Sequence, residues 1–327
     1  MNPIPALSAI ILVGHERGRA QQVLDRLYEQ TAADRMEIVI ADTASSSYPR
    51  LSLHPGGVPT VYLNFSADEQ WGDVRASAVR SASGSLVAFV EDHSIPLPTW
   101  AEAIIRASSG PWVAAGYAFL NANPGKDSGW KGYLSRSGFI ADYGVWAHPV
   151  PAGSIQHMPC NNVAYRREAL LELGDPLGGM FHSDFVLHEH FARAGKSMDI
   201  IRDAIVAHQN HESLGILLEG NFAHCRVIGA SRVVEGHWGW PRRLVYGLAV
   251  PIAVPFMKLG RLLRVQMRRR ALWGTTLAAL PVAAAVFVWS AFGESMGYLF
   301  GFGNSVERFQ QIEVSTPRSA ELTGEGP

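Results

Sequence analysis

The chain has 327 residues, with 28 lysines and arginines against 29 aspartates and glutamates and a formal net charge of −1. That balance removes the bulk electrostatic case for a nucleic-acid partner. Two cysteines, Cys160 and Cys225, are too few for a disulfide framework and lack metal-finger spacing, which fits a reducing compartment.

Residues 1–14, MNPIPALSAIILVG, show no basic n-region and no small-residue cleavage site, so no secretory signal is expected. Residues 9–13 read as a buried strand, and 17–30 as a helix with Val23, Leu24 and Leu27 on one face. Residues 36–41 form a second strand ending in Asp42, and 58–63 a third. Residues 71–83 are helical, with Gly84 as a C-terminal stop. Residues 86–90 form a fourth strand, 98–108 a helix and 112–119 another strand. Strands alternating with helices predict an α/β fold with a mostly parallel sheet and right-handed crossovers. Residues 121–153, with scattered glycines and aromatics, read as a partly ordered insertion or substrate-covering loop. Helices over 167–173 and 184–194 and a strand over 198–207 complete this part.

The last third changes character, in a chain that is 47% hydrophobic and only 17% charged. A helical connector is expected over 213–243 and a membrane-associated region over 244–303. Within it, 244–257 is apolar, short and interrupted by Pro251 and Pro255, which suits a re-entrant or short spanning segment. Residues 258–270 are basic and amphipathic, as in a helix lying among anionic headgroups. Residues 271–292 are uncharged and long enough to span, with Trp273 and Trp289 near the ends. The positive charges place the flanks of 244–257 on the cytosolic side, so a single span over 271–292 would put the following segment outside. Two buried core helices joined by a solvated linker are the alternative. Residues 304–327 read as a polar tail, disordered after Arg308.

The strongest chemical signal is LVAFVEDH, residues 86–93. An apolar strand buried on both faces ends in Glu91, Asp92 and His93, which must sit at its mouth because burying them unpaired is costly. Ligands of open α/β sheets bind at the carboxyl ends of the strands. Three metal-competent groups there suggest a divalent cation and a phosphorylated ligand; a solvated strand-to-loop turn is the plain alternative.

The ordered series of stretches over residues 8–211 resembles the family 2 glycosyltransferases, of GT-A fold. AIILVGHERG stands where that family has an apolar strand and a polar loop over the nucleotide, with Val13 and Gly14 in place of its usual Pro-Thr. His15 and Glu16 would then touch base or ribose. In IVIADTAS, Asp42 matches the aspartate that contacts uracil or ribose; capping its own turn through an Asx bond is the alternative. WGDVRASAVRSASGSLVAFVEDH is the most specific block: Arg75 matches an arginine facing the diphosphate, or else is a surface helix charge. Glu91, Asp92 and His93 match the D-x-D triplet, with His at its last position. The resemblance implies a bound Mn or Mg ion, held by Glu91, Asp92, His93 and, near the last strand, His208 in AHQNHES; Asp92 would also serve the ribose. Histidine suits manganese better than magnesium.

MPCNNVAYRRE matches the acceptor-side strand, with Asn162 in the asparagine position, or a helix cap. HSDFVLHEHFARAG matches the acidic helix start, with Ser183 and Asp184 for its Glu-Asp pair. Asp184 would be the general base of an inverting transfer, or simply a favourable charge at a helix N-terminus. A processive Gln-x-x-Arg-Trp motif is absent, so the resemblance implies transfer of one sugar from a nucleotide-diphosphate donor. The acceptor would be a lipid-linked or cell-surface glycan precursor, reached from a catalytic domain (residues 1–212) on the cytoplasmic face of the plasma (inner) membrane, with membrane lipids as partners. The altered triplet and Ser183 keep a second expectation open: an inactive nucleotide-binding or scaffold protein on the same fold.

Overall fold

The structure, a computed structural model, describes residues 4–122, 129–152, 157–316 and 318. The chain forms two compact units, Met1–Leu120 with Gln156–His208, and Asn121–Ile155 with Gln209–Pro327.

In chain order the elements begin with β1 (Leu7–Val13), α1 (Arg17–Tyr28), β2 (Met36–Asp42), β3 (Thr60–Asn64), α2 (Trp71–Ser81) and β4 (Leu86–Glu91). They continue with β5 (Ser94–Pro96), α3 (Trp100–Ala107), β6 (Ala114–Asn121), α4 (Trp130–Tyr143), β7 (Val163–Arg166), α5 (Arg167–Leu171) and α6 (Leu177–Met180). The last are α7 (Asp184–Arg193), β8 (Met198–His208), α8 (Leu214–Glu235), α9 (Trp240–Gln266), α10 (Trp273–Phe300) and α11 (Ser305–Ser315).

All eight strands form one sheet in the order β3-β2-β1-β4-β7-β6-β8-β5. The β3-β2-β1-β4 half is parallel, as the apolar runs of β1, β2 and β4 predict. The other half is not: β7 lies antiparallel to both β4 and β6, and β5 antiparallel to β8. The sheet is therefore mixed rather than mostly parallel, because β7 enters antiparallel between β4 and β6 and β5 pairs antiparallel with β8 at the edge. The register sets Val13 beside Asp42 and Leu12 beside Glu91, so the two carboxylates end neighbouring strands on either side of β1. Gly84 lies beyond the last residue of α2 and caps nothing; a Cβ there would stand 2.7 Å from Ser8 Oγ, so glycine permits the close approach to β1.

Three expectations fall in the second unit. Residues 121–153, expected as a partly ordered insertion or covering loop, contain the 14-residue α4, whose Gly138 packs on Leu217 of α8. The segment 244–257 does not stand alone; it lies inside the 27-residue α9, which runs unbroken through Pro251 and Pro255. Packing holds it: Gly247 abuts Leu299, and Val250 clusters with Ala291 and Tyr298 of α10. The expected tail holds α11, whose Ile312 is buried near Gly220 while Phe309 stacks on His224 at 4.8 Å. Beyond Thr316 only Arg318 lies within the described residues.

The basic stretch 258–270 is divided in its roles. Lys258 donates to Ser290 Oγ at 2.8 Å, and Arg269 and Gln266 donate to the Gly144 carbonyl that ends α4. Arg264, Arg268 and Arg270 are exposed. Among the described residues, one helix, Arg270–Phe300, is long and apolar enough to cross a membrane.

Candidate functional site

The carboxyl edge of the parallel strands gathers the chemistry. β4 ends at Glu91 and β5 starts at Ser94, so Asp92 and His93 form the whole turn. The antiparallel register of β5 with β8 sets Ser94 beside His208 and so brings His208 to the same corner. The His93 and His208 rings meet edge-to-face, centroids 4.8 Å apart. Both Nε2 atoms stand 3.5 Å from Glu91 Oε2. One donor atom from each of Glu91, His93 and His208 lies within 4.8 Å of the others, and both histidines are buried.

The surroundings orient these groups. His93 Nδ1 and Asp92 Oδ1 are 2.9 Å apart, which leaves Nε2 directed toward Glu91. A carboxylate behind an imidazole in this way fixes the ring and raises its basicity as a ligand. Asp92 is itself held by Arg19, at 3.1 and 3.2 Å. Asp92 is buried, and its contacts with Arg19 and His93 make it a positioning group for the His93 ring. Glu91 accepts from Asn161 Nδ2 at 2.9 Å, from Asn162 Nδ2 and from Ser94 Oγ at 3.1 Å, all neutral donors. Two imidazoles and a carboxylate make a donor set that fits a divalent transition metal and suits magnesium poorly.

Three other expected site residues are sealed. Asp42 is fully buried; Arg17 grips it at 2.6 and 3.0 Å, Tyr62 Oη donates to it, and the Ala44 N–H completes an Asx turn at 2.9 Å. Burial alone would raise its pKa, but Arg17, Tyr62 and the Ala44 N–H hold it below the ordinary range. Asp42 therefore anchors a turn. Arg75, 3% exposed, lies 4.4 Å from the ring centroids of both Phe89 and Phe181 and donates twice to Asp184, at 2.7 and 3.1 Å. Its guanidinium is thus committed to Asp184 in this arrangement.

Asp184 is equally buried. Against burial, Arg75, His188 and the Asn161 N–H (2.6 Å from Oδ2) hold its carboxylate below the usual range. Asp184 is thus held as a buried carboxylate paired with Arg75. Behind it, burial pushes the His188 imidazole down to about 4, with Tyr165 Oη 2.9 Å from Nε2. Asn162 is wholly buried and donates to Glu91.

The residue missed by sequence reasoning is Asn161. It sits at φ 63°, in the left-handed region that asparagine tolerates better than most residues. Its backbone N–H reaches Asp184 and its side chain reaches Glu91, so one turn joins the Arg75–Asp184 pair to the cluster. The adjacent Asn-Asn pair was the available signal. Arg17 and Arg19 were also missed as clamps on Asp42 and Asp92. His15 and Glu16 are half-buried at the end of β1, and His15 stacks on Tyr48 with centroids 5.1 Å apart.

No protein-family model matches the chain, and no curated protein matches it. Solved structures with similar folds include the mannosyltransferase PcManGT from Pyrobaculum calidifontis in complex with GDP-Man and Mn2+, at 15% identity over 91% of this chain and 87% of that one, TM-score 0.49. S. aureus TarS 1-349 is similar at 13% identity, covering 94% and 90%, TM-score 0.42. Glucosyl-3-phosphoglycerate synthase from Mycobacterium tuberculosis, in complex with phosphoglyceric acid, is similar at 15% identity, covering 70% and 79%, TM-score 0.41. At these identities and scores, the assignment of function rests on the chain's own residues.

Proposed function

We propose that this chain is a glycosyltransferase that moves a single sugar from a nucleotide-diphosphate donor to a hydroxyl acceptor. The observation that carries the reading is the Glu91–His93–His208 cluster at the carboxyl edge of the parallel strands. Glu91, His93 and His208 would hold a divalent cation, whose charge would grip the diphosphate and stabilise the leaving group. Asp92 fixes His93, and Asn161, Asn162 and Ser94 fix Glu91, so the donor atoms are preorganised. His15, stacked on Tyr48, offers an aromatic surface for a nucleobase, with Glu16 beside it.

An inverting course asks one carboxylate to take the acceptor's proton; Asp184 would do so only after releasing Arg75. The long apolar α10 supports attachment to a membrane, where a lipid-linked acceptor on the cytosolic face would be at hand. A second reading, a nucleotide-binding scaffold without turnover, is favoured by the sealed state of Asp42 and Asp184.

The test is release of nucleoside diphosphate from a panel of UDP- and GDP-sugars, with Mn2+ and membrane lipid extract. Release that is Mn2+-dependent and lost in Glu91→Gln supports transfer. Nucleotide binding without release supports the scaffold, and failure to bind any nucleotide contradicts both.

A further inference from the structure

α9 and α10 pair as a hairpin: Gly247 meets Leu299 near one end, and Lys258 meets Ser290 further along. α9 turns a broad apolar face outward. Val245, Leu248, Ile252 and Phe256 are 63%, 64%, 69% and 73% exposed, at the three- and four-residue spacing that aligns them on one side of a helix. α10 adds Leu277, Val288, Trp289 and Phe292 as exposed apolar groups. A bare surface of this kind marks an interaction site.

Charge selects the occupant. Residues 236–293 contain no aspartate or glutamate, against eight lysines and arginines. Arg264, Arg268 and Arg270 are exposed beside the apolar face, and Trp240 and Trp273 stand exposed at the starts of α9 and α10. Two such surfaces from two copies of the chain would repel each other. An anionic bilayer matches both the apolar face and the positive rim.

The packing also limits how deep the hairpin can go. Gly293 meets the Phe222 carbonyl, Gly297 that of Arg226, and Gly229 that of Glu294, so the backbones of α8 and α10 touch. Arg232 of α8 pairs with Glu294, and Glu219 of α8 pairs with Arg308 of α11. Were α10 to cross the hydrocarbon core, α8 would have to follow with Glu219, Arg226 and Arg232. Arg226 and Arg232 stand beside the C-terminal end of α10, at Gly301 and at Glu294 and Tyr298, and drawing such charges into hydrocarbon is costly.

We propose that the α9–α10 hairpin lies in the plane of an anionic bilayer, at the boundary of headgroups and acyl chains, and that the chain does not cross it. This rests on the membrane-attachment part of the proposed function and not on its chemistry. It replaces the single span expected from sequence: residues on both sides of the hairpin would stay on one face of the membrane.

The test uses the full-length chain, flotation on phosphatidylcholine vesicles with and without phosphatidylglycerol, and protease access to a C-terminal tag on the intact vesicles. The expected result is flotation that requires phosphatidylglycerol and falls about fivefold for each of Arg264→Ala and Arg268→Ala. Ile252→Glu with Phe256→Glu abolishes it, and a tag on vesicle-bound protein stays open to protease. A protected tag overturns the in-plane arrangement, and equal flotation on neutral vesicles overturns the charge argument. Loss of a dimer in the Ile252→Glu, Phe256→Glu variant, with no flotation of the wild type, makes the face a contact between copies instead. Calorimetric binding of UDP and GDP with Mn2+ should be unchanged in all variants, which separates this outcome from failure of the catalytic reading.

Discussion

Asp42 and Glu91 end neighbouring strands on either side of β1, and in sequence they look equivalent. The structure treats them differently. Asp42 is clamped by Arg17, as Asp184 is by Arg75, and a carboxylate matched by a guanidinium has no charge left to draw a cation. Glu91 accepts from two amides and a hydroxyl, which fix its position, and it faces two imidazoles. The partner, rather than the carboxylate, decides which strand end becomes a candidate ligand site and which becomes part of the scaffold.

The largest expected effect lies on the sealed side. Arg75→Met leaves Asp184 as a buried carboxylate without its cation, and the loss of stability in urea should be about 3–5 kcal/mol. A change below about 1 kcal/mol would mean that the pair is wet and the contrast with Glu91 fails.

Acid should act on the same side. His188 is held neutral, its pKa lowered to about 4 against 6.5 for the free side chain, so between those values the unfolded state binds more protons. Stability is then full above about 6.5 and falls by up to about 3 kcal/mol as pH drops toward 4. The depressed Asp42 and Asp184 add a further loss only below the ordinary aspartate value of 3.8. Urea midpoints from pH 7 to 4.5 check this: His188→Gln should flatten the slope in that window, and an unchanged slope would place the acid response elsewhere.

On the open side the readout is metal rather than stability. Glu91→Gln should weaken Mn2+ binding by at least about 100-fold, beyond the 10–100-fold typical of losing a ligand's supporting partner. Its stability change should be about 1 kcal/mol. Asn161→Gly tests the bridge between the two sides. Glycine accepts φ 63°, so the fold survives, while the loss of the amide to Glu91 should weaken Mn2+ about tenfold. Equal affinity would make Asn161 a turn residue and nothing more.

The parallel half of the sheet was legible because β1, β2 and β4 are unbroken apolar runs, and Glu91 and His93 were legible as polar residues that end one of them. His208 was found only through the family resemblance; its placement depends on β5 pairing with β8, a contact between segments far apart in the chain. The partners of four expected site residues share one origin. Asp42, Arg75, Asp92 and Asp184 each stand at a chemically apt position, but their partners Arg17, Arg19 and the Phe89–Phe181 pair come from other elements, and no local pattern shows them. α9 was divided in the sequence reading because Pro251 and Pro255 are helix breakers locally, and its contact with α10 outweighs that preference.

The most direct test is calorimetry of Mn2+ followed by UDP or GDP, on the wild type and on Glu91→Gln. The geometry predicts that the wild type binds Mn2+ and then takes the nucleotide more tightly than without it, and that Glu91→Gln loses both effects while remaining folded. Equal Mn2+ binding by the two proteins, or nucleotide affinity indifferent to Mn2+, would contradict the assignment of this corner as the cation and diphosphate site.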